Sequence, residues 1–330
     1  IDSEIANPMS IYPEYKARRS SWGSKANGTV LVELVTESGL VGLGMSQGGI
    51  PATRIILDHL SLFLLGSDPR DTERLWEQMF RATLPYGRKG LPLCAISAVD
   101  LALWDLCGKL RGEPVYKLLG GETKKAIPCY VTGPQPLVAK ELGFFGSKLP
   151  LPYGPADGIE GLNANVEMVA NAREQVGPDF DLMLDCYMAL DVPYTIDLAN
   201  AVRPYRVRWI EESLPPDDYE GYAEITAKSP VPIATGEHEF TRWGHKELLA
   251  RRCCHILQPD VMWVGGISEL KKIAAMAETY SRMVCPHNPI GPLANAATLH
   301  LAACVPNFWL LETMNSDVPW RRDVTTERVR

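Results

Sequence analysis

Three runs decide the reading: LMLDCYMALD (182–191), RWIEESLPP (208–216) and PIATGEHEF (232–240). Each begins with a short apolar, strand-like stretch and then presents a carboxylate, at Asp185, Glu211 and Glu237, with the same gap of 26 residues each time. One unit of strand, loop, helix and return loop in a parallel barrel takes roughly 25 residues, since about 200–250 are shared among eight units. Neighbouring strands lie about 4.8 Å apart. A step of 26 therefore carries a side chain from the end of one strand to the same level on the next, and the three acids are expected to meet at the C-terminal mouth of a barrel.

The pattern extends in both directions from these runs. From Ala126 onward, AIPCYVTG, GSKLPLP, DLMLDCY, RWIEES, PIATG, HILQPD, MVCPHN and WLLET read as strands. NVEMVANAREQV, TIDLANAVRPY, SELKKIAAMAETYS and LANAATLHLAACV have helical spacing between them. Eight such units predict a (β/α)₈ barrel over residues 126–330. The rival, a doubly wound sheet, wants a glycine-rich phosphate turn after its first strand, and YVTGPQPLV has no GxGxxG.

Residues 1–125 do not follow this repeat and read as an α+β capping domain. GTVLVELVTESGLVGLGMS alternates as a hairpin turning at Ser38-Gly39. ATRIILDHLSLFLLG and DTERLWEQMF are helical, the latter with Asp71 as expected N-cap. In CAISAVDLALWDLCGKLRG, Ile96, Val99, Leu103, Leu106 and Leu110 define one buried face, and Gly112 and Pro114 end the helix.

The 330 residues are 46% hydrophobic and 22% charged, with net charge −7 and no dense basic cluster, which argues against nucleic acid as a partner. No apolar run has membrane-spanning length, so no membrane partner is expected. The eight cysteines form no CxxC and read as buried reduced thiols, which predicts a cytoplasmic protein. A homo-oligomer is expected.

Three converging acids repel one another unless a cation joins them. Carboxylate oxygens are hard ligands and suit Mg²⁺ or Mn²⁺ better than zinc. Three protein oxygens leave room for water or substrate. On the next two strands, Asp260 ends HILQPD and His287 ends MVCPHN. At one level, the acid fixes the imidazole tautomer and leaves the second nitrogen as a base. His238 follows Glu237 and is a candidate substrate contact. Lys148 in SKLPLPYGP is expected at the mouth, facing a substrate carboxylate, and Pro150 denies strand two a Lys-x-Lys pair. Glu312 ends strand eight as a candidate proton donor. His59, His245, His255 and His300 read as structural.

AISAVDLALWDLCGKLRGEPVYKLLGG, LMLDCY, WIEESLPP, ATGEHEF, LQPD and CPHN together resemble the mandelate racemase group of the enolase superfamily. The resemblance covers nearly the whole chain. It implies a cap on a (β/α)₈ barrel, Asp185, Glu211 and Glu237 on Mg²⁺, and an Asp260–His287 base. Within the group, IANPMSIYPEYKARRSSWG and SKLPLPYGPADG are similar to L-rhamnonate dehydratases. By position, that likeness implies Arg19 as a cap contact to a sugar-acid substrate. The reaction it implies is removal of the C2 proton and 3-hydroxyl of an aldonate to give a 2-keto-3-deoxy acid. L-lyxonate and galactonate stay open as substrates. A racemase or epimerase on the same site, a Mg²⁺-dependent aldolase and a metal-binding scaffold stay open as other readings.

Overall fold

The computed structural model describes residues 5–15, 28–289 and 291–314. Arg19 lies outside the described residues. The expected hairpin is present: β1 (Val30–Val35) and β2 (Val41–Ser46) pair antiparallel, Val30 opposite Ser46. Helix α1 (Gly49–Ile55) continues through one π turn (Ile56–Leu60) into α2 (Ser61–Leu64). Helix α3 (Thr72–Thr83) starts after Asp71. That residue does not cap it: its side chain makes no capping bond and pairs with Arg74 at 2.7 Å.

Helix α4 (Leu91–Arg111) ends at Gly112, whose φ of 65° is the left-handed stop expected of glycine. The sequence suggested a single buried face. Instead α4 is buried almost all round, between the hairpin and the barrel, and Leu110 is exposed. Gly44 of β2 lies so close that a Cβ there would stand 2.0 Å from Ala98 O, so backbone packs on backbone. By length and composition α4 is apolar enough to cross a membrane, contrary to the sequence expectation, but 83% of its apolar window is buried within the protein. It is a core helix linking the two layers. A short helix, α5 (Val115–Leu118), follows.

The ring comes next, and its order along the chain is β3 (Cys129–Thr132), α6 (Pro136–Glu141), β4 (Gly146–Pro150), α7 (Gly158–Val176), β5 (Asp181–Asp185), α8 (Val192–Val202), β6 (Ile210–Glu211), α9 (Tyr219–Lys228), β7 (Ile233–Thr235), α10 (Thr241–Ala250), β8 (Ile256–Leu257), α11 (Gly266–Thr279), β9 (Met283–Val284), α12 (Pro292–Cys304) and β10 (Leu311–Thr313). All eight strands are parallel: β3 to β9 lie side by side in chain order, and β10 pairs with β3. The seam between β9 and β10 closes one step early, at Val284, which bonds Asn307 O and Trp309 N. Among the described residues no helix follows β10. Apolar strand faces and the helices' inner faces form one continuous core, and Tyr130, Met183, Trp209, Ala234, Cys285 and Leu310 fill a second cluster. The cysteines are free, and all but Cys129 are buried.

Register corrects one step of the spacing argument. Asp185 is the partner of Glu211, as expected, but the partner of Glu211 on β7 is Ala234. Glu237 stands three residues beyond Ala234, outside the strand, where Gly236 turns the chain at φ 126°. Equal spacing in sequence was not equal height on the ring. Asp260 and His287 each lie three residues past the register partners Leu257 and Val284, so they do share one height.

Candidate active site

The six carboxylates of Asp185, Glu211, Glu212, Glu237, Asp260 and Glu312 are all buried at the C-terminal ends of β5 to β10, with Lys148, His238 and His287 among them. Strand alternation explains Glu211 pointing inward. It would also send Glu212 outward. Glu212 escapes this rule because its φ is +45°, a left-handed conformation that rotates its carboxylate back to the mouth. Tyr187, Met188 and Thr241 also have positive φ, at 43°, 60° and 61°, so the rim after β5, β6 and β7 carries backbone strain.

These acids form two groups. Deep in the ring, Lys148 Nζ contacts Glu211 Oε1, Glu312 Oε1 at 2.9 Å and Asp185 Oδ2 at 3.6 Å. Glu211 Oε2 accepts from Gln258 Nε2 at 2.6 Å and Trp209 Nε1 at 3.0 Å. Burial alone would discharge Lys148, but Glu211, Glu312 and Asp185 outweigh it and hold the ammonium well above its usual range. Lys148 is not a mouth cation: it is 0% exposed, and its register partner on β5 is Met183, one pleat below Asp185. Glu312 contacts the same ammonium. Burial pushes its carboxyl up, yet Lys148 and His287, with a bond from Thr132, hold it below the ordinary value. Its other oxygen accepts from Asn288 N at 3.0 Å.

The second group lies at the rim. Asp260 Oδ2 is 2.6 Å from His287 Nδ1, and Asp260 Oδ1 accepts from Met262 N at 2.6 Å. A carboxylate only accepts, so Nδ1 donates and Nε2 is left facing Glu237 Oε2 at 3.5 Å. Burial disfavours the imidazolium, but Glu237, Glu312 and Asp260 raise His287 to about 10. His238 Nδ1 sits 2.7 Å from Glu212 Oε2 and 3.3 Å from Glu237 Oε1. Burial opposes its charge too, and Glu212 then Glu237 raise it to about 9. Burial pushes Glu237 up, against the pull of His287, and Glu212 adds to the rise. The Trp263 ring stands between both imidazoles, 5.1 Å from His238 and 4.9 Å from His287 by centroid.

Glu212, Glu237 and His238 offer ligand atoms all within 4.8 Å of one another. Asp185, Glu211 and Glu237 do not converge in this way among the described residues: Glu211 is turned to Lys148, and Glu237 to the histidines. The donor set still fits a hard divalent cation. Its carboxylates outnumber its basic groups, it contains no thiolate, and burial strains the charge on Glu237. Sequence reasoning missed Glu212, Gln258, Trp209, Trp263 and Asn288. Only Glu212 left a signal, its adjacency to Glu211.

Comparison with known proteins bears on this geometry. Residues 13–120 match the N-terminal domain model of mandelate racemase / muconate lactonizing enzyme, and residues 139–330 match the enolase C-terminal domain-like model. The chain is 53% identical over 289 residues to an L-rhamnonate dehydratase of Saccharopolyspora erythraea, covering 87% of this chain and 74% of that one. The crystal structure of rhamnonate dehydratase from Gibberella zeae complexed with Mg is 48% identical, with TM-score 0.91, covering 95% of this chain and 76% of that one. The 3,6-anhydro-D-galactonate cycloisomerase of Zobellia galactanivorans is 32% identical, with TM-score 0.85, covering 91% and 86%.

Proposed function

The chain belongs to the mandelate racemase group of the enolase superfamily, and from that premise we propose that it is a Mg²⁺-dependent sugar-acid dehydratase acting on L-rhamnonate. The observation that carries the reading is the Asp260–His287 pair, with the imidazole Nε2 3.5 Å from Glu237. Asp185, Glu211 and Glu237 are the residues that would hold the cation. When bound, the cation supplies positive charge to the substrate carboxylate and screens Glu237 from His287, which brings the imidazole back toward a base.

His287 Nε2 takes the C2 proton, and the C–H electron pair becomes the C=C of an ene-diolate. Asp260 keeps the ring fixed and balances the imidazolium that forms. His287 then returns its proton to the 3-hydroxyl, which leaves as water with the C3–O pair, and the enol ketonises to a 2-keto-3-deoxy acid. His238, kept cationic by Glu212 and Glu237, donates to a substrate hydroxyl. Arg19 is proposed as the cap's contact to the sugar. Lys148 serves the substrate carboxylate only through Glu211 and Asp185. General base catalysis contributes roughly 10²–10⁴-fold. That is about 3–5 kcal/mol of the ~8–23 kcal/mol enzymes remove, so electrostatic stabilisation of the dianion carries much of the rest. On β4, Pro150 stands at the level of Asp185, so this strand lacks the second lysine of a Lys-x-Lys pair that could act as a second base for epimerisation.

The test is incubation with Mg²⁺ and aldonic acids differing at C4, C5 and C6, assayed for 2-keto-3-deoxy products. L-Rhamnonate is expected to be converted with the highest kcat/KM. His287→Asn is expected to bind substrate but to lose C2 proton exchange in D₂O, and normal exchange in that variant removes His287 as the base.

A further inference from the structure

We propose that Ser46, at the end of hairpin strand β2, is a positioning residue for the base His287, acting through Met262 and Asp260. The proposal takes the identity of the base from the dehydratase reading. Ser46 Oγ donates to Met262 O at 2.5 Å. The N–H of that same Met262 donates to Asp260 Oδ1 at 2.6 Å, and Asp260 Oδ2 accepts from His287 Nδ1 at 2.6 Å. Ser46, Met262 and Asp260 are each no more than 1% exposed, so water does not compete for these bonds.

The connection from β8 to α11 is held from the same side at further points. Trp76 Nε1 donates to Gly265 O at 2.7 Å, and Ser97 Oγ accepts from Gly265 N at 2.9 Å. Asp100 accepts from Ser268 N at 3.0 Å and from Ser268 Oγ at 2.6 Å, capping the first turn of α11 with a carboxylate from α4. Ser46, Trp76, Ser97 and Asp100 all lie in the N-terminal layer. They hold the connection that carries Asp260 at Met262, at Gly265 and at the first turn of α11.

Such a grip has a chemical purpose. Gly265 and Gly266 have positive φ, 118° and 81°, and give this loop a backbone that can turn. If the Met262 carbonyl loses its donor, residues 261–263 can rotate to find another, and the Met262 N–H leaves Asp260 Oδ1. Asp260 then pivots, and the imidazole plane follows. The N-terminal layer thereby sets the aim of a proton-transfer group in the barrel, in addition to covering it.

The experiment compares Ser46→Ala, Ser46→Thr and Trp76→Phe in the full chain. The first readout needs no substrate: the downfield proton NMR resonance of the His287 Nδ1–H, identified by its loss in His287→Asn. The second is kcat and KM with L-rhamnonate and Mg²⁺. In Ser46→Ala the resonance is expected to move upfield or broaden, and kcat to fall on the order of 10-fold with KM changed less than about 2-fold. Ser46→Thr, which keeps the hydroxyl, restores both, and Trp76→Phe moves both in the direction of Ser46→Ala. An unmoved resonance in Ser46→Ala and Trp76→Phe overturns the proposal. So does a loss of kcat that Ser46→Thr shares. If the parent chain converts no aldonate, the dehydratase reading fails while the resonance still decides the positioning.

Discussion

Lys148 Nζ lies 2.9 Å from Glu312 Oε1 at the floor of the site, on neighbouring ends of a buried chain of charge that also takes in Glu211 and Asp185. Removing one member of a buried ion pair leaves its partners uncompensated in a poor solvent for charge. Lys148→Met is expected to cost about 3–5 kcal/mol in chemical denaturation. Lys148→Met with Glu312→Gln is expected to recover part of that loss, because the double variant removes a charge of each sign. A double-mutant cycle on urea midpoints measures it. Additive single and double effects would show that the two groups do not support each other.

Glu237 and Glu212 are expected to respond differently to substitution. Glu237→Gln is expected to weaken Mg²⁺ binding by at least 10-fold in titration calorimetry, since it removes a charged oxygen from the proposed ligand set. Glu212→Gln is expected to affect the substrate first, raising KM, because its carboxylate orients and charges His238 at 2.7 Å. Metal affinity in Glu237→Gln equal to the parent's would exclude that residue as a ligand.

Stability is expected to fall with rising pH through the titration of Asp100. Burial, the largest influence, pushes this fully buried carboxyl from 3.8 to about 7, against the hydrogen bonds from Ser268. Its folded pKa is above its unfolded one, so between these values the native state binds more protons than the unfolded chain. The stability it contributes is complete below pH 3.8, declines as pH rises, and is gone above about 7. The shift corresponds to an upper bound on the order of 4 kcal/mol. Asp100→Asn keeps an acceptor for Ser268 N and does not titrate. Its Tm is expected to fall less than the parent's between pH 5 and pH 8 in a thermal melt. Parallel Tm profiles would show that Asp100 does not titrate between pH 5 and pH 8 in the folded protein.

Much of this arrangement is legible in the sequence. The strand runs after Ala126 and the helical spacing between them mark the ring correctly, because a parallel barrel demands the same local pattern eight times. Asp185 sits where its strand ends, Asp260 and His287 lie three residues past theirs, and the dyad forms as expected. What sequence did not carry was height and handedness. The run SKLPLPYGP places Lys148 at the mouth, yet pairing with Met183 sets it one pleat lower. Glu237 reached the rim from a loop and not from a strand end. Glu212 stands beside Glu211, but alternation assigns it to the outer face, and only a backbone angle reverses that. The charge state of Glu312 depended on Lys148, whose depth was itself unknown.

The left-handed backbone at Glu212 has an evolutionary consequence. Glycine would relieve the conformation but would delete the carboxylate that steers His238, while any other acid-bearing side chain inherits the strain. No single substitution improves both, so consensus-style thermostabilisation is expected to stall at this position. An engineer seeking a hardier catalyst has more freedom on the outer helices than in these two consecutive glutamates.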